Sequence, residues 1–146
     1  MGRIEAICIS PEKGTVKETV PTAELRVDHG IVGDAHAGNW HRQVSLLPSE
    51  SIAKVRAMMP ELADGAFAEN LVTSGVDMGG VKVGDKVAIG DGVLLEVTQI
   101  GKECHQGCAI RQITGDCIMP REGIFCRVLS GGLIEPGISA SLDPSL

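Results

Sequence analysis

Apolar and polar positions alternate in short runs along most of the chain, and glycine or proline interrupts them at close intervals. That pattern predicts strands. Residues 2–10 are apolar and β-branched and read as a strand, with a turn over 11–14. Residues 15–27 mix apolar and polar positions around one proline and fit two short strands. Residues 30–41 hold too much glycine for a regular element and read as a long loop. A short apolar strand follows over 43–47. Pro48, Ser49, Glu50 and Ser51 then open a helix, with a proline and an acid where a first turn accepts them. Ile52, Val55 and Met59 fall on one face of that helix, and Pro60 ends it.

Residues 67–73 lead from a loop into a strand. The clearest local signal is the pair of runs 86–89 and 93–97 around Gly90, Asp91 and Gly92, which reads as a β-hairpin with a three-residue loop. Residues 124–129, followed by Ser130, Gly131 and Gly132, suggest a second strand pair. Residues 104–113 fit either a short helix or a loop. Many short strands with one helix predict a mostly-β barrel or sandwich with a few short helices, with α+β as the alternative. Residues 1–146 are expected to form one domain.

Composition refines this picture in two ways. Trp40, Phe67 and Phe125 are the whole aromatic set, so the core must be filled by aliphatic side chains. A net charge of −6 argues against binding duplex nucleic acid, where phosphate neutralisation supplies the affinity. The N-terminal residues lack a basic stretch followed by a long apolar one, and no apolar run approaches the length of a membrane span. A cytoplasmic protein is the expectation, with neither nucleic acid nor membrane as partner.

The chemistry concentrates late in the chain. Of five cysteines, Cys104, Cys108, Cys117 and Cys126 lie in the last third. An odd count without a secretory leader argues against a disulfide scaffold. Three of these thiols and His105 fall on turn-like segments at strand ends. Lys102, Arg111 and Arg121 nearby would favour a thiolate and could hold an anion. Three readings are open. One cysteine is a cofactor ligand or sulfur carrier. Alternatively, Cys104, Cys108, Cys117 and His105 form a structural zinc site, although adjacent ligands at 104 and 105 suit one tetrahedral ion poorly. Or the cysteines are small buried hydrophobes. For Cys8 and Cys126, inside apolar strands, the last reading is preferred; for Cys104 a functional role is.

Several ordered stretches carry a resemblance. They are Val32-Gly33-Asp34-Ala35-His36-Ala37-Gly38, then Arg42-Gln43-Val44-Ser45-Leu46-Leu47, then Phe67-Ala68-Glu69-Asn70-Leu71, then Val83-Gly84-Asp85. Last comes the cysteine segment running into Glu122-Gly123-Ile124-Phe125-Cys126-Arg127-Val128 and Gly131-Gly132. Together they resemble the MOSC domain, named for the C-terminal domain of molybdenum cofactor sulfurases, in a stand-alone bacterial-type form. The resemblance implies a β-rich barrel-like fold and binding of the molybdenum cofactor (molybdopterin), a pterin with a dithiolene and a phosphate. It also implies one key cysteine that carries sulfur or coordinates molybdenum, and Cys104 matches it best. Cys108 and Cys117 close by offer further metal ligands.

The function expected from this is cofactor sulfuration or transfer through a reactive cysteine, with a sulfur donor or cofactor-synthesis protein as partner. No pyridoxal-phosphate desulfurase segment lies on the chain, so any sulfur would come from elsewhere. A molybdenum-dependent reductase component acting on N-hydroxylated compounds and a non-catalytic zinc-stabilised module are the alternatives. Whether the chain is itself an enzyme stays open between them.

Lys102, His36, Arg111, Arg121, Glu69 and Asn70 are the candidate cofactor contacts. His36 and His41, on either side of Trp40, either line a pocket or are solvated. Asp34 reads first as a turn residue beside Gly33. Glu69 and Asn70 serve a loop or contact a ligand. Arg127 points outward to solvent or inward to an anion, the former being more common.

Overall fold

The computed structural model describes residues 2–11, 17–57, 60, 65, 67, 69–76, 80–101 and 123–143. Its elements in chain order are β1 (Gly2–Ile9), β2 (Glu18–Thr19), β3 (Ala23–Arg26), β4 (Gly30–Ile31), β5 (Val44–Pro48) and α1 (Ser49–Arg56). They continue with β6 (Leu71–Ser74), β7 (Lys86–Ile89), β8 (Val93–Ile100), β9 (Ile124–Ser130), β10 (Gly132–Ile134) and β11 (Ser139–Asp143).

Among the described residues, seven strands close a barrel in the order β11, β7, β8, β9, β5, β6, β1, and β1 returns to β11 through Gly2 and Ala140. β2 hangs from the far end of β1. A small three-stranded sheet, β10, β3, β4, stands beside the barrel. All barrel neighbours are antiparallel except β5 and β6, which run parallel because α1 carries the chain across between them. The fold is mostly β, with a single short helix among the described residues.

The strand alternation explains the barrel. On β7, Val87 and Ile89 are buried; on β8, Val93, Leu95 and Val97 are buried; the residues between them are partly exposed. These side chains join Ile4, Ile7, Val44, Leu46, Leu71, Ile124, Cys126 and Val128 in an aliphatic interior, as a chain so poor in rings requires. A second cluster lies on the other face of the strands. There Ile52 and Val55 of α1 cover Ala6, Cys8, Leu47, Val72, Phe67 and Phe125. Burying a side chain of this size contributes about 1.5–3 kcal/mol, so the helix is held mainly by this face.

Several sequence expectations are corrected. The glycine-rich segment is not wholly a loop, since Gly30 and Ile31 pair with Arg26 and Leu25. Gly30, at φ +119°, approaches the Gln43 carbonyl so closely that a Cβ would sit 2.8 Å from its oxygen. β9 and β10 do not pair with each other: β9 lies between β8 and β5, and β10 joins β3. The helix closes at Arg56, short of Pro60. Residues 104–113 and Met59 lie outside the described residues.

No helix among the described residues is long and apolar enough to cross a membrane.

Candidate functional site

The glycine-rich loop that follows β4 is folded around a buried ion pair. Asp34 and Lys17 have no exposed side-chain surface, and the Lys17 ammonium lies 2.6 Å from Asp34 Oδ1. The same ammonium donates to Ser10 Oγ at 3.2 Å and lies 2.9 Å from His36 Nδ1. An ammonium only donates, so this contact requires Nδ1 to accept and places the imidazole proton on Nε2. Asp34 is bound further by the backbone N–H groups of Ser10 and His36, at 3.1 and 3.2 Å. Asp34 is therefore not merely a turn former beside Gly33; it is the counter-ion of a lysine with no access to water.

A second network supports the first. The Lys17 backbone N–H donates to the Gly65 carbonyl. Gly65 has φ +91°, and a Cβ there would lie 2.0 Å from the Lys17 carbonyl oxygen, so only glycine fits this approach. The Gly65 and Phe67 N–H groups both donate to Glu69, at 2.9 and 3.0 Å. Asn70 Oδ1 accepts from the Ser45 N–H and its Nδ2 donates to the Cys8 carbonyl, joining β5 to β1. Glu69 and Asn70, singled out as cofactor contacts or as loop supports, are fully buried and hydrogen-bonded to the chain's own backbone.

The loop ends on Trp40, His41 and Arg42, and the last two lean on β8 and β9. His41 Nε2 and Gln99 Oε1 are 2.8 Å apart, and the Thr98 hydroxyl donates to the His41 carbonyl. Trp40 Nε1 donates to the His36 carbonyl at 2.7 Å, tying this end of the loop to the ion pair. The Arg42 guanidinium lies 4.7 Å from the Trp40 ring centre and 5.6 Å from that of Phe125. Its Nε is buried and has no hydrogen-bond partner.

The cysteine segment leaves the barrel beside this loop. The Gly101 N–H donates to the Gly123 carbonyl at 2.7 Å, so the chain departs and returns at one place. Gln99 Nε2 also donates to the Gly101 carbonyl. Gln99 and Phe125, each two residues from one of these glycines, are the side chains that His41 and Arg42 touch. Lys102, Cys104, His105, Cys108, Arg111, Cys117 and Arg121 lie outside the described residues.

Cys8 and Cys126 are fully buried. Burial pushes the Cys126 thiol far above its ordinary value, and the Glu96 carboxylate adds to this. Arg127 turns outward and donates to Glu96 at 2.7 Å. His36 is partly exposed and His41 exposed.

Lys17 and Arg42 were not recognised as site residues in the sequence. Lys17 stands in an ordinary mixed stretch and no local signal marks it. Arg42 lies in a stretch that carries the resemblance, but residue type alone does not reveal a buried orphan donor.

The family model described as the MOSC domain matches residues 33–140. A curated relative, a reductase from Gibberella moniliformis (strain M3125 / FGSC 7600), is 36% identical over an alignment of 85 residues that covers 53% of the chain. The chain spans 15% of that protein's length. Among solved structures, the YUAD protein from Bacillus subtilis superposes with a TM-score of 0.80 at 19% identity, covering 100% of this chain and 98% of that one. YiiM from Geobacillus stearothermophilus gives 0.67 at 21% identity, covering 100% and 76%. YiiM from Escherichia coli gives 0.66 at 20% identity, covering 99% and 71%.

Proposed function

Since the chain belongs to the MOSC domain family, which is associated with the molybdenum cofactor, we propose that it binds this cofactor and acts in its sulfuration or transfer through Cys104. The observation that carries the reading is the meeting of two stretches distant in sequence. The loop from Asp34 to Arg42 sits against the end of β8 and the start of β9, where the cysteine segment has both its feet.

The residues fit such a group. The cofactor is anionic and sulfur-bearing, and the orphaned, buried Arg42 Nε beside those feet is a donor that an anionic ligand satisfies. When bound, the group supplies a metal centre that accepts soft thiolates. The chain supplies the rest. Lys102, Arg111 and Arg121 favour the thiolate of Cys104 and hold negative charge, while Cys108 and Cys117 are further soft donors. The His36 ring, with Nδ1 engaged by Lys17, donates through Nε2. As a carrier, the Cys104 thiolate attacks the outer sulfur of a donor persulfide and releases the donor's thiolate. Cys104 then bears the persulfide sulfur for the next acceptor.

The test is cofactor binding by Cys104→Ser compared with the native chain, with persulfide sought by mass spectrometry and molybdenum and zinc by elemental analysis. We expect molybdopterin to bind the native chain and to be lost from the variant while the fold is kept. Equal binding by the two proteins rejects the assignment of Cys104.

One observation favours a second reading. The curated relative is a reductase, so a molybdenum-dependent reductase component is the alternative. Turnover of N-hydroxylated substrates by cofactor-loaded protein, given an electron donor, separates the two.

A further inference from the structure

We infer that Arg42 is a binding residue for an oxyanion of the phosphate-monoester class. Where that oxyanion is the phosphate of the cofactor, the inference rests on the reading given above. Three other arginines provide the contrast. Arg3, Arg26 and Arg127 each donate Nε to a glutamate, at 2.8, 2.6 and 2.7 Å, though all three are exposed. Arg42 is the more deeply set side chain, and its Nε is buried with no acceptor.

A guanidinium proton buried without an acceptor is costly, and native structures place such donors where something else completes them. The guanidinium carbon lies over the rings of Trp40 and Phe125, 4.7 and 5.6 Å from their centres, contacts that fix the side chain without giving its Nε an acceptor. A planar fork with fixed orientation matches two oxygens of one phosphate. Gly123, where the chain re-enters the barrel, lies two residues from Phe125 and accepts from the Gly101 N–H.

Trp40 makes the idea directly measurable. It is the sole tryptophan and the chain has no tyrosine, so emission excited at long wavelength reports on the ring under Arg42. Inorganic phosphate, titrated at constant ionic strength against chloride, should change Trp40 emission saturably. Arg42→Gln should weaken this binding tenfold or more, and Arg42→Lys should recover only part of it, because it keeps the charge without the fork. Phosphate should also raise the unfolding temperature of the native chain and not that of Arg42→Met, which still packs on the rings. In phosphate-free buffer both neutral variants should unfold no earlier than the native chain, since each removes a buried donor that has no acceptor. Early unfolding of both variants there shows Arg42 to be a structural residue and overturns the inference.

A second arm uses molybdenum cofactor released from a denatured molybdoenzyme. Phosphate binding without cofactor binding upholds Arg42 and rejects the cofactor reading. Cofactor binding of equal strength in the native chain and in Arg42→Gln upholds the cofactor and overturns Arg42. No saturable response to either probe overturns the inference as well.

Discussion

Lys17 has no contact with water, and each of its ammonium protons meets a side-chain acceptor: Asp34, Ser10 or His36. Asp34 keeps two backbone donors when the lysine is removed, whereas Lys17 without Asp34 keeps a full charge and only two neutral acceptors. Loss of one partner of a buried pair costs about 3–5 kcal/mol when a charge is stranded. Asp34→Ala should therefore lose stability in that range, and Lys17→Met distinctly less, as read from urea unfolding. Equal and small losses would mean that the pair does not stabilise the loop.

The partnership was half legible in the sequence. Asp34 lies in the stretch that carried the family resemblance, but its role read as a turn. Lys17 gave no sign, because its acceptors Asp34 and His36 lie on another segment, and Gly65, which closes on its main chain, is 48 residues further on and has no local signature.

Strands with strict alternation were the legible elements. β7 and β8 pair with Ile89 opposite Val93, and Gly90, Asp91 and Gly92 make the turn as expected. β4 was not legible, and β10 was legible only as part of a strand pair that does not form, since strands of two or three residues containing glycine take their pairing from neighbours and not from their own pattern. β11 was missed for the related reason that its serines mask the alternation.

β9 carries a prediction of its own. Cys126 is buried in the barrel interior, so its thiol stays protonated in the folded chain while the unfolded chain ionises near pH 8.5. A thiol whose folded value is raised contributes stability below the unfolded value and loses it as pH climbs above. From about pH 8.5 to 9.5 the native chain should lose up to roughly 1 kcal/mol more than Cys126→Ala does. Comparing urea midpoints of the two proteins across that range checks this. Parallel pH profiles would place Cys126 in contact with water.

At the scale of the molecule, the barrel depends on one seam. Ala140 lies opposite both Gly2 and Ile89, so β11 is the strand that joins the first strand to β7. A chain ending at residue 138 should leave two unpaired edges and expose the aliphatic interior. We expect it to lose cooperative unfolding and to associate, while a chain ending at residue 143 behaves as the full one. Urea titration with light scattering reads both. A cooperative, monomeric 138-residue chain would show that closure is dispensable.

The same seam bears on how the protein is made. Gly2 leaves the ribosome 138 residues before the partner it faces, a delay of roughly seven to thirty seconds at ordinary rates of synthesis. Throughout that interval the nascent chain carries a strand whose outer rim is open to any passing extended peptide. Chaperone occupancy during translation should therefore persist until β11 emerges, and a slow codon placed just before residue 139 would prolong it.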